Sequence, residues 1–158
     1  MKTLIIHFSK FGNTKRVAQA IAETTKQAGD TRVISIDQLA TSDLEGVDLV
    51  VMGSPTHAFS VPEAVQSALA TLPPGVLAGK SVAAVDTTVK VWPLRPMRAS
   101  PGLLRQLRQL GGKAVVRPQT FSVQTHNTQK TGEIDLLLEG QFERAQDWAG
   151  QILKPVKN

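Results

Sequence analysis

The feature that most constrains the fold is a regular alternation between short apolar runs and longer segments with helical spacing. The runs at residues 4–6 and 47–52 are apolar on both sides, which is typical of strands buried at the centre of a parallel sheet. Between them, apolar residues of segment 13–28 recur at helical spacing until Gly29 ends the pattern. The alternation predicts an α/β protein with helices on both faces of a parallel sheet.

The whole chain can be divided into five strands and four helices. The strands are predicted at 3–8, 32–36, 47–52, 81–85 and 114–116, the last with an extension toward residue 123. The helices are predicted at 13–28, from Pro62 onward, along the leucines from Leu103 to Leu110, and along a final apolar face formed by Leu138, Phe142, Ala145, Ala149 and Ile152. A short helical turn is expected near Asp43. Without a linker or repeat, residues 1–158 are expected to form a single domain.

Composition excludes several classes of protein. The chain has no Cys, which excludes disulfides, thiolate metal sites and a cysteine nucleophile. The longest apolar runs are far shorter than the ~20 residues that span a bilayer, and the N-terminal sequence has no secretory pattern. We therefore expect a cytoplasmic protein. Its three histidines, His7, His57 and His126, lack the spacing of metal ligands, so no metal site is expected.

The positive charge is concentrated in one stretch. The net charge is +5, but residues 80–117 contain eight Lys and Arg and one acid, which makes this stretch +7 and the remainder −2. Such a stretch is consistent with a nucleic-acid-binding surface or with the rim of a site for anionic ligands.

The segment that joins the first strand to the first helix has the composition of a phosphate-binding loop. It reads S-K-F-G-N-T, with hydroxyls at Ser9 and Thr14 and a tight turn allowed by Gly12. The free backbone amides and the dipole at a helix N-terminus favour an anion there. The alternative is an ordinary strand–helix turn with Asn13 as the helix cap.

Three segments together resemble the flavodoxin-like FMN-binding family. Ser9, Gly12, Asn13 and Thr14 match the family's loop for the FMN phosphate. Residues 53–59, G-S-P-T-H-A-F, resemble the second loop, which lies along the isoalloxazine ring, and residues 83–87, A-A-V-D-T, resemble the third loop at the pyrimidine end. Residues 139–148 resemble the family's terminal helix. The resemblance covers the whole chain and implies a three-layer αβα sandwich with five parallel strands in the order 2-1-3-4-5, with FMN at the switch point.

The resemblance also implies a set of cofactor-binding residues. His57 is the histidine expected nearest to flavin N5, where it either donates a hydrogen bond or proton or only faces solvent. The side chains of Phe59 and Trp92 either cover the ring or pack within their loops. The implied set is Ser9, Lys10, Phe11, Gly12, Asn13, Thr14, Pro55, Thr56, His57, Ala58, Phe59, Asp86, Thr87, Thr88 and Trp92.

Other proteins with phosphate sites are excluded by missing signatures. A receiver domain needs acids after strands one and three, where this chain has His7-Phe8-Ser9 and Met52-Gly53-Ser54. Segment 75–81 has one residue too few between its glycines for a P-loop, and it precedes a strand. The chain contains neither G-x-G-x-x-G nor G-x-S-x-G.

Two departures from typical flavodoxins affect the expected chemistry. Lys90, Arg95 and Arg98 follow the third loop, where flavodoxins are acidic. One cation at ~8 Å and an effective dielectric constant of ~20 stabilises a reduced, anionic flavin by roughly 2 kcal/mol, so we expect a raised reduction potential and an anionic partner. The run 56–60 has no glycine, which disfavours a peptide flip and favours two-electron chemistry.

The leading hypothesis is an FMN-binding redox protein, either an electron carrier or a small FMN-dependent oxidoreductase, with a quinone- or protoporphyrinogen-oxidase-like enzyme as a variant. Its partner would be a redox protein or a small-molecule electron acceptor. The alternative is a non-catalytic module of the same fold that binds an acidic protein or nucleic acid through the basic stretch. Nucleic acid is disfavoured because Trp92 is the one aromatic residue within that stretch.

Overall fold

A parallel sheet forms the centre of the computed structural model, which describes residues 1–57, 60–89, 98–124 and 135–156. Its strands follow the order β2-β1-β3-β4-β5, with β6 also paired to β4, and every pair is parallel. The predicted order 2-1-3-4-5 is confirmed. The strands are β1 Lys2–His7, β2 Asp30–Ser35, β3 Leu49–Pro55, β4 Ser81–Val89, β5 Lys113–Ala114 and β6 Gln119–Val123.

The fifth position in the sheet is occupied by two short strands. β5 pairs with Ser81 and Val82 at the start of β4, whereas β6 pairs with the segment from Val85 to Val89. Pro118 lies between them and has no N–H to donate to a ladder. The predicted strand at 114–116 with its extension toward 123 therefore exists as two segments along one edge of β4.

Four α-helices cover the two faces of the sheet. They are α1 Asn13–Thr25, α2 Glu63–Ala70, α3 Ala99–Gln109 and α4 Gln141–Leu153. One core joins Leu4, Ile6, Val50 and Met52 to residues of α2 and α3, and the other joins Ile5, Val51, Ala83 and Val85 to residues of α1 and α4. Because successive strand residues point to opposite faces, the apolar runs serve both cores. This arrangement confirms the three-layer sandwich.

Several element boundaries differ from the prediction. α1 ends at Thr25 and continues as a 3₁₀ turn, Lys26–Ala28, while the turn expected near Asp43 is the 3₁₀ helix Thr41–Leu44. β3 and β4 extend three and four residues beyond the predicted ends at 52 and 85. These extra residues carry strand backbone directly into the region where a ligand would bind.

The apolar face of α4 matches the predicted one at Ala145, Ala149 and Ile152, which are buried, but not at its first two positions. Leu138 precedes the helix, and Phe142 is 37% exposed, so neither belongs to the helical core face. Trp148, only 3% exposed, supplies the large aromatic contact, beside Ala145 and Ile152. No helix in the described ranges is long and apolar enough to cross a membrane.

Candidate functional site

A cavity of about 550 Å³ lies at the carboxyl ends of β1, β3 and β4, where the strand order reverses. We call it the strand-end cavity. Its volume is within the range of small-molecule sites, about 300–1,000 Å³. Ten of the residues predicted to bind a cofactor line it: Ser9, Lys10, Phe11, Asn13, Thr14, Pro55, Thr56, His57, Thr87 and Thr88.

The N-terminus of α1 forms one end of this cavity. Gly12 is the N-cap in the left-handed conformation at φ 87°, which a residue with a Cβ adopts only at a cost. Gly12 itself is buried and is not among the lining residues. The helix has no side-chain cap hydrogen bond and no acid in its first turn. Its amides and dipole therefore offer a site for an anion.

Asn13 is the first residue of α1 and does not act as its cap. Its side-chain Oδ1 accepts a hydrogen bond from the backbone N–H of Leu136 at 2.9 Å. Three residues further along α1, Arg16 forms an ion pair with Asp135. These two contacts hold the segment before α4 against the phosphate loop, so that Leu136 becomes part of the cavity wall.

Close packing joins the first turn of α1 to the neighbouring strands. The hydroxyls of Thr14 and Thr87 are 2.9 Å apart, and both residues are buried. A Cβ on Gly53 would lie 3.0 Å from Thr14 Cγ2 and 3.2 Å from Val85 Cγ2, closer than ordinary van der Waals contact. Glycine at this position of β3 therefore allows α1 to approach the sheet.

The second loop is fixed where it leaves β3. The N–H of Thr56 donates to the carbonyl of Thr87 at 2.8 Å. His57 and Ser60 exchange two backbone hydrogen bonds, of 3.0 and 2.9 Å, which close the base of the turn between them. The His57 side chain is exposed at the wall of the cavity.

Asp86 occupies a different place from the predicted one. It is fully buried and lies behind the cavity wall, where its Oδ2 accepts hydrogen bonds from the Thr56 hydroxyl and the Ser100 N–H. Three other predicted residues, Ala58, Phe59 and Trp92, lie outside the described residues, as do the predicted loop cations Lys90 and Arg95.

Sequence reasoning missed eight residues of the cavity wall. Val89 and Val123 come from the carboxyl ends of β4 and β6. Val89 was missed because β4 is longer than its predicted span of 81–85, and Val123, although within the predicted extension of the fifth strand, was not assigned to the site. The complete set is Phe8, Pro62, Glu63, Ala64, Val89, Val123, Gln124 and Leu136.

The basic stretch does not form one surface in the described part of the chain. Lys80 and Lys113 lie at the amino ends of β4 and β5, where the Lys113 N–H donates to the Lys80 carbonyl. Arg98 precedes α3 at the other end of the sheet, and Arg105 is exposed along that helix. Arg98 directly precedes Ala99, whose N–H donates to the hydroxyl of Thr56 in the cavity wall.

Outside the cavity, one carboxyl at the same edge of the sheet has a perturbed pKa. The Ser35 hydroxyl, at the end of β2, donates to Asp37 and, together with the Asp37 backbone, lowers the pKa of that carboxyl. Across the described ranges, no three His, Asp or Glu side chains are grouped so as to hold a metal ion.

Fold and cavity together define a class: an α/β protein with a cavity at the switch point of a doubly wound sheet. A family model described as flavodoxin domain matches residues 4–89, which is more than half of the chain. The chain therefore belongs to the flavodoxin domain family. The comparison with curated protein sequences finds no match.

Solved structures agree on the fold. Flavodoxin 2 from Bacillus cereus matches with a TM-score of 0.76 at 19% identity, covering 98% of this chain and 99% of that one. Flavodoxin 1 from the same organism matches with a TM-score of 0.74 at 21% identity over 98% of both chains. Rubredoxin oxygen:oxidoreductase from Desulfovibrio gigas matches at 0.74 and 18% identity over 99% of this chain but 36% of its own.

Flavodoxins bind FMN, and the residues of the strand-end cavity fit this cofactor. The uncapped N-terminus of α1, with no acid in its first turn, suits the phosphate. Pro55, Val89, Val123 and Leu136 provide apolar wall for a flat ring, and backbone groups of the second loop lie beside them. FMN is the cofactor, and the chain is a flavodoxin-like redox protein in which bound FMN supplies the electron transfer.

Proposed function

We propose that the FMN phosphate binds at the N-terminus of α1, between Ser9 and Thr14, and that the flavin ring lies against the base of the second loop. The uncapped N-terminus that faces the cavity supports the first placement. The apolar lining near Pro55 and Val89 supports the second. Lys10 and Phe11 occupy positions where the family's phosphate loop is more polar, and the Lys10 ammonium lies 5.4 Å from the centre of the Phe11 ring.

We further propose that the protein is a small FMN-dependent oxidoreductase that transfers two electrons. The single observation that carries this proposal is the closed base of the second loop. His57 and Ser60 are joined by two backbone hydrogen bonds, and Thr56 is held by Thr87. The run 56–60 contains no glycine, so a flipped peptide with positive φ would cost about 1 kcal/mol or more. A second loop whose described ends are fixed in this way, and whose sequence has no glycine, favours paired electron transfer over a one-electron carrier.

The charge near the cavity favours an anionic electron acceptor. Lys10 lines the cavity and is exposed, and Arg98 precedes the helix whose first N–H reaches Thr56. Lys10 and Glu63 are the charged residues of the described cavity wall and balance each other, so the proposed preference for an anionic acceptor rests on Arg98 beside it. The dispersal of the other cations disfavours the alternative module, which needs a continuous basic surface.

The placement of the phosphate is tested by titrating apo-protein with FMN and with riboflavin, following flavin fluorescence. Wild-type protein should bind FMN much more tightly than riboflavin. Ser9→Asp should weaken FMN binding at least tenfold and leave riboflavin binding unchanged, because only the phosphate is repelled. Gln19→Asp, on the exposed side of α1, is the matched control. Equal weakening of both ligands by Ser9→Asp would contradict the placement.

The electron count is tested by stepwise photoreduction of the FMN-loaded protein. We expect one transition between oxidised and fully reduced spectra, without accumulation of a one-electron-reduced species. Accumulation of that species as the main product at half reduction would establish a one-electron carrier. For the acceptor, Lys10→Gln and Arg98→Gln should slow reduction of ferricyanide more than reduction of a neutral quinone, and added salt should remove the difference.

A further inference from the structure

A buried carboxylate behind the strand-end cavity joins two elements that are distant in sequence. Asp86 is 0% exposed and lies in register with Ser54 of β3. Its Oδ2 accepts a hydrogen bond of 3.0 Å from the Thr56 hydroxyl and one of 2.9 Å from the Ser100 N–H. One oxygen therefore holds both the second loop and the first turn of α3.

The Thr56 hydroxyl completes this arrangement. While it donates to Asp86, it accepts a hydrogen bond of 3.0 Å from the Ala99 N–H. The first two amides of α3, at Ala99 and Ser100, are thus satisfied by residues outside the helix. α3 has no side-chain cap hydrogen bond and no acid in its first turn, so these bonds replace an ordinary N-cap.

Among the described residues of this network, Thr56 is the one that lines the cavity. Asp86 does not line it. The Thr56 hydroxyl is committed to Asp86 and Ala99, and its N–H is committed to Thr87. The position of Thr56 beside the flavin therefore depends on where Asp86 and the start of α3 are held.

We propose that Asp86 is a positioning residue for the flavin site, which it serves through Thr56 without touching the cofactor. It locks the base of the second loop to the N-terminus of α3, so that the two move as one unit. Asp86 Oδ1 is buried and has no hydrogen-bond partner among the described residues, which costs folding free energy. We infer that this cost is tolerated because Oδ2 accepts the two hydrogen bonds that position Thr56 and α3. The proposal rests on the placement of the flavin ring against the second loop.

The test compares FMN affinity and the flavin absorption spectrum of purified variants. Asp86→Ala should weaken FMN binding about tenfold and shift the bound spectrum. Asp86→Asn should stay within threefold of wild type, because its amide oxygen can accept the same two hydrogen bonds. Thr56→Val should have the FMN affinity and spectrum of Asp86→Ala, and Thr56→Ser should have those of wild type. The double variant Asp86→Ala with Thr56→Val should bind FMN no more weakly than either single variant. Leu107→Ala, which removes a buried side chain from the same helix, should lower stability but keep affinity and spectrum.

A readout without FMN completes the test. In the apo-protein, the Ala99 amide should exchange hydrogen faster in Thr56→Val than in Thr56→Ser, and the Ser100 amide faster in Asp86→Ala than in Asp86→Asn. Wild-type affinity and spectrum in Asp86→Ala would overturn the proposal. The proposal would also be overturned if the losses of FMN affinity multiplied in the double variant, or if Asp86→Asn bound FMN as weakly as Asp86→Ala. None of these outcomes would contradict the proposed function. The proposed function has its own test, and its phosphate placement fails if Ser9→Asp weakens the binding of FMN and riboflavin equally.

Discussion

The hydroxyl pair of Thr14 and Thr87 makes a prediction whose magnitude follows from the structure. The two oxygens are 2.9 Å apart, and the residues are 1% and 4% exposed. Thr14→Val keeps the shape of the side chain but leaves the Thr87 hydroxyl buried without its partner, which costs about 1–3 kcal/mol. Thr87→Val has the reverse effect and a similar cost. When both are Val, no hydroxyl is stranded, so the double variant should be more stable than the sum of the single losses by about 1 kcal/mol or more.

The measurement is a double-mutant cycle of urea unfolding on apo-protein, with unchanged m values as evidence that the unfolding transition is the same. Thr71→Val is the control, since its hydroxyl bonds to the Ala68 carbonyl at an exposed position, and it should change stability by less than about 0.5 kcal/mol. Single losses that add within about 0.5 kcal/mol would refute the argument that the two hydroxyls satisfy each other.

Three further predictions concern packing and charge. Gly53→Ala should destabilise the protein by about 1–3 kcal/mol, because the added Cβ overpacks the contact with α1; urea unfolding at or above wild-type stability would contradict this. Phe142→Ser should lower the free energy of unfolding by less than about 0.5 kcal/mol, and Trp148→Ala should lower it by about 3–5 kcal/mol, in thermal or urea unfolding. Equal losses would contradict the exposure of Phe142 and the burial of Trp148. A hydrogen bond from the Ala40 N–H, and then one from Arg32, lower the pKa of the Asp43 carboxyl. The ionised carboxylate therefore stabilises the folded protein above the ordinary Asp pKa of about 3.9, and this stabilisation is lost as the pH falls through the lower pKa of the folded state. Asp43→Asn should therefore reduce the loss of stability between pH 5 and 2 (about the range in which such carboxyls titrate), and an NMR titration that finds an unshifted Asp43 would contradict the cause.

The local patterns of the chain were sufficient for the architecture. Continuous apolar runs such as residues 47–52 indicated buried parallel strands, and the order of elements restricted the sheet to right-handed crossovers. The composition expected of a phosphate-binding loop was equally visible at residues 9–14, because a hydroxyl-rich, glycine-containing turn that binds an anion is expected to follow a strand and open a helix. In both cases the signal lies within a few consecutive residues.

Predictions that depended on contacts between residues distant in sequence were less accurate. Leu138 and Phe142 fit the helical spacing of the final segment, yet α4 begins at Gln141, Phe142 is exposed, and Trp148 is buried on the same stripe as Ala145 and Ile152. Spacing located the stripe, but only packing against the rest of the fold decides how much of its length is covered. Likewise, charges that are close in sequence, such as Lys80 and Arg98, are separated by the length of a strand.

The sequence by itself determined the α/β class with helices on both faces of a parallel sheet, because backbone periodicity and turn chemistry are properties of neighbouring residues, whereas the strand order came from the resemblance to the flavodoxin family. Only the tertiary structure showed that Asp86, which the resemblance implied as a cofactor-binding residue, is buried and hydrogen-bonded to Thr56 and Ser100. Its partners Thr56 and Ser100 are 30 and 14 residues away. Register between β3 and β4 and the docking of α3 bring the three together, and these depend on packing across the whole sheet, which no local pattern specifies.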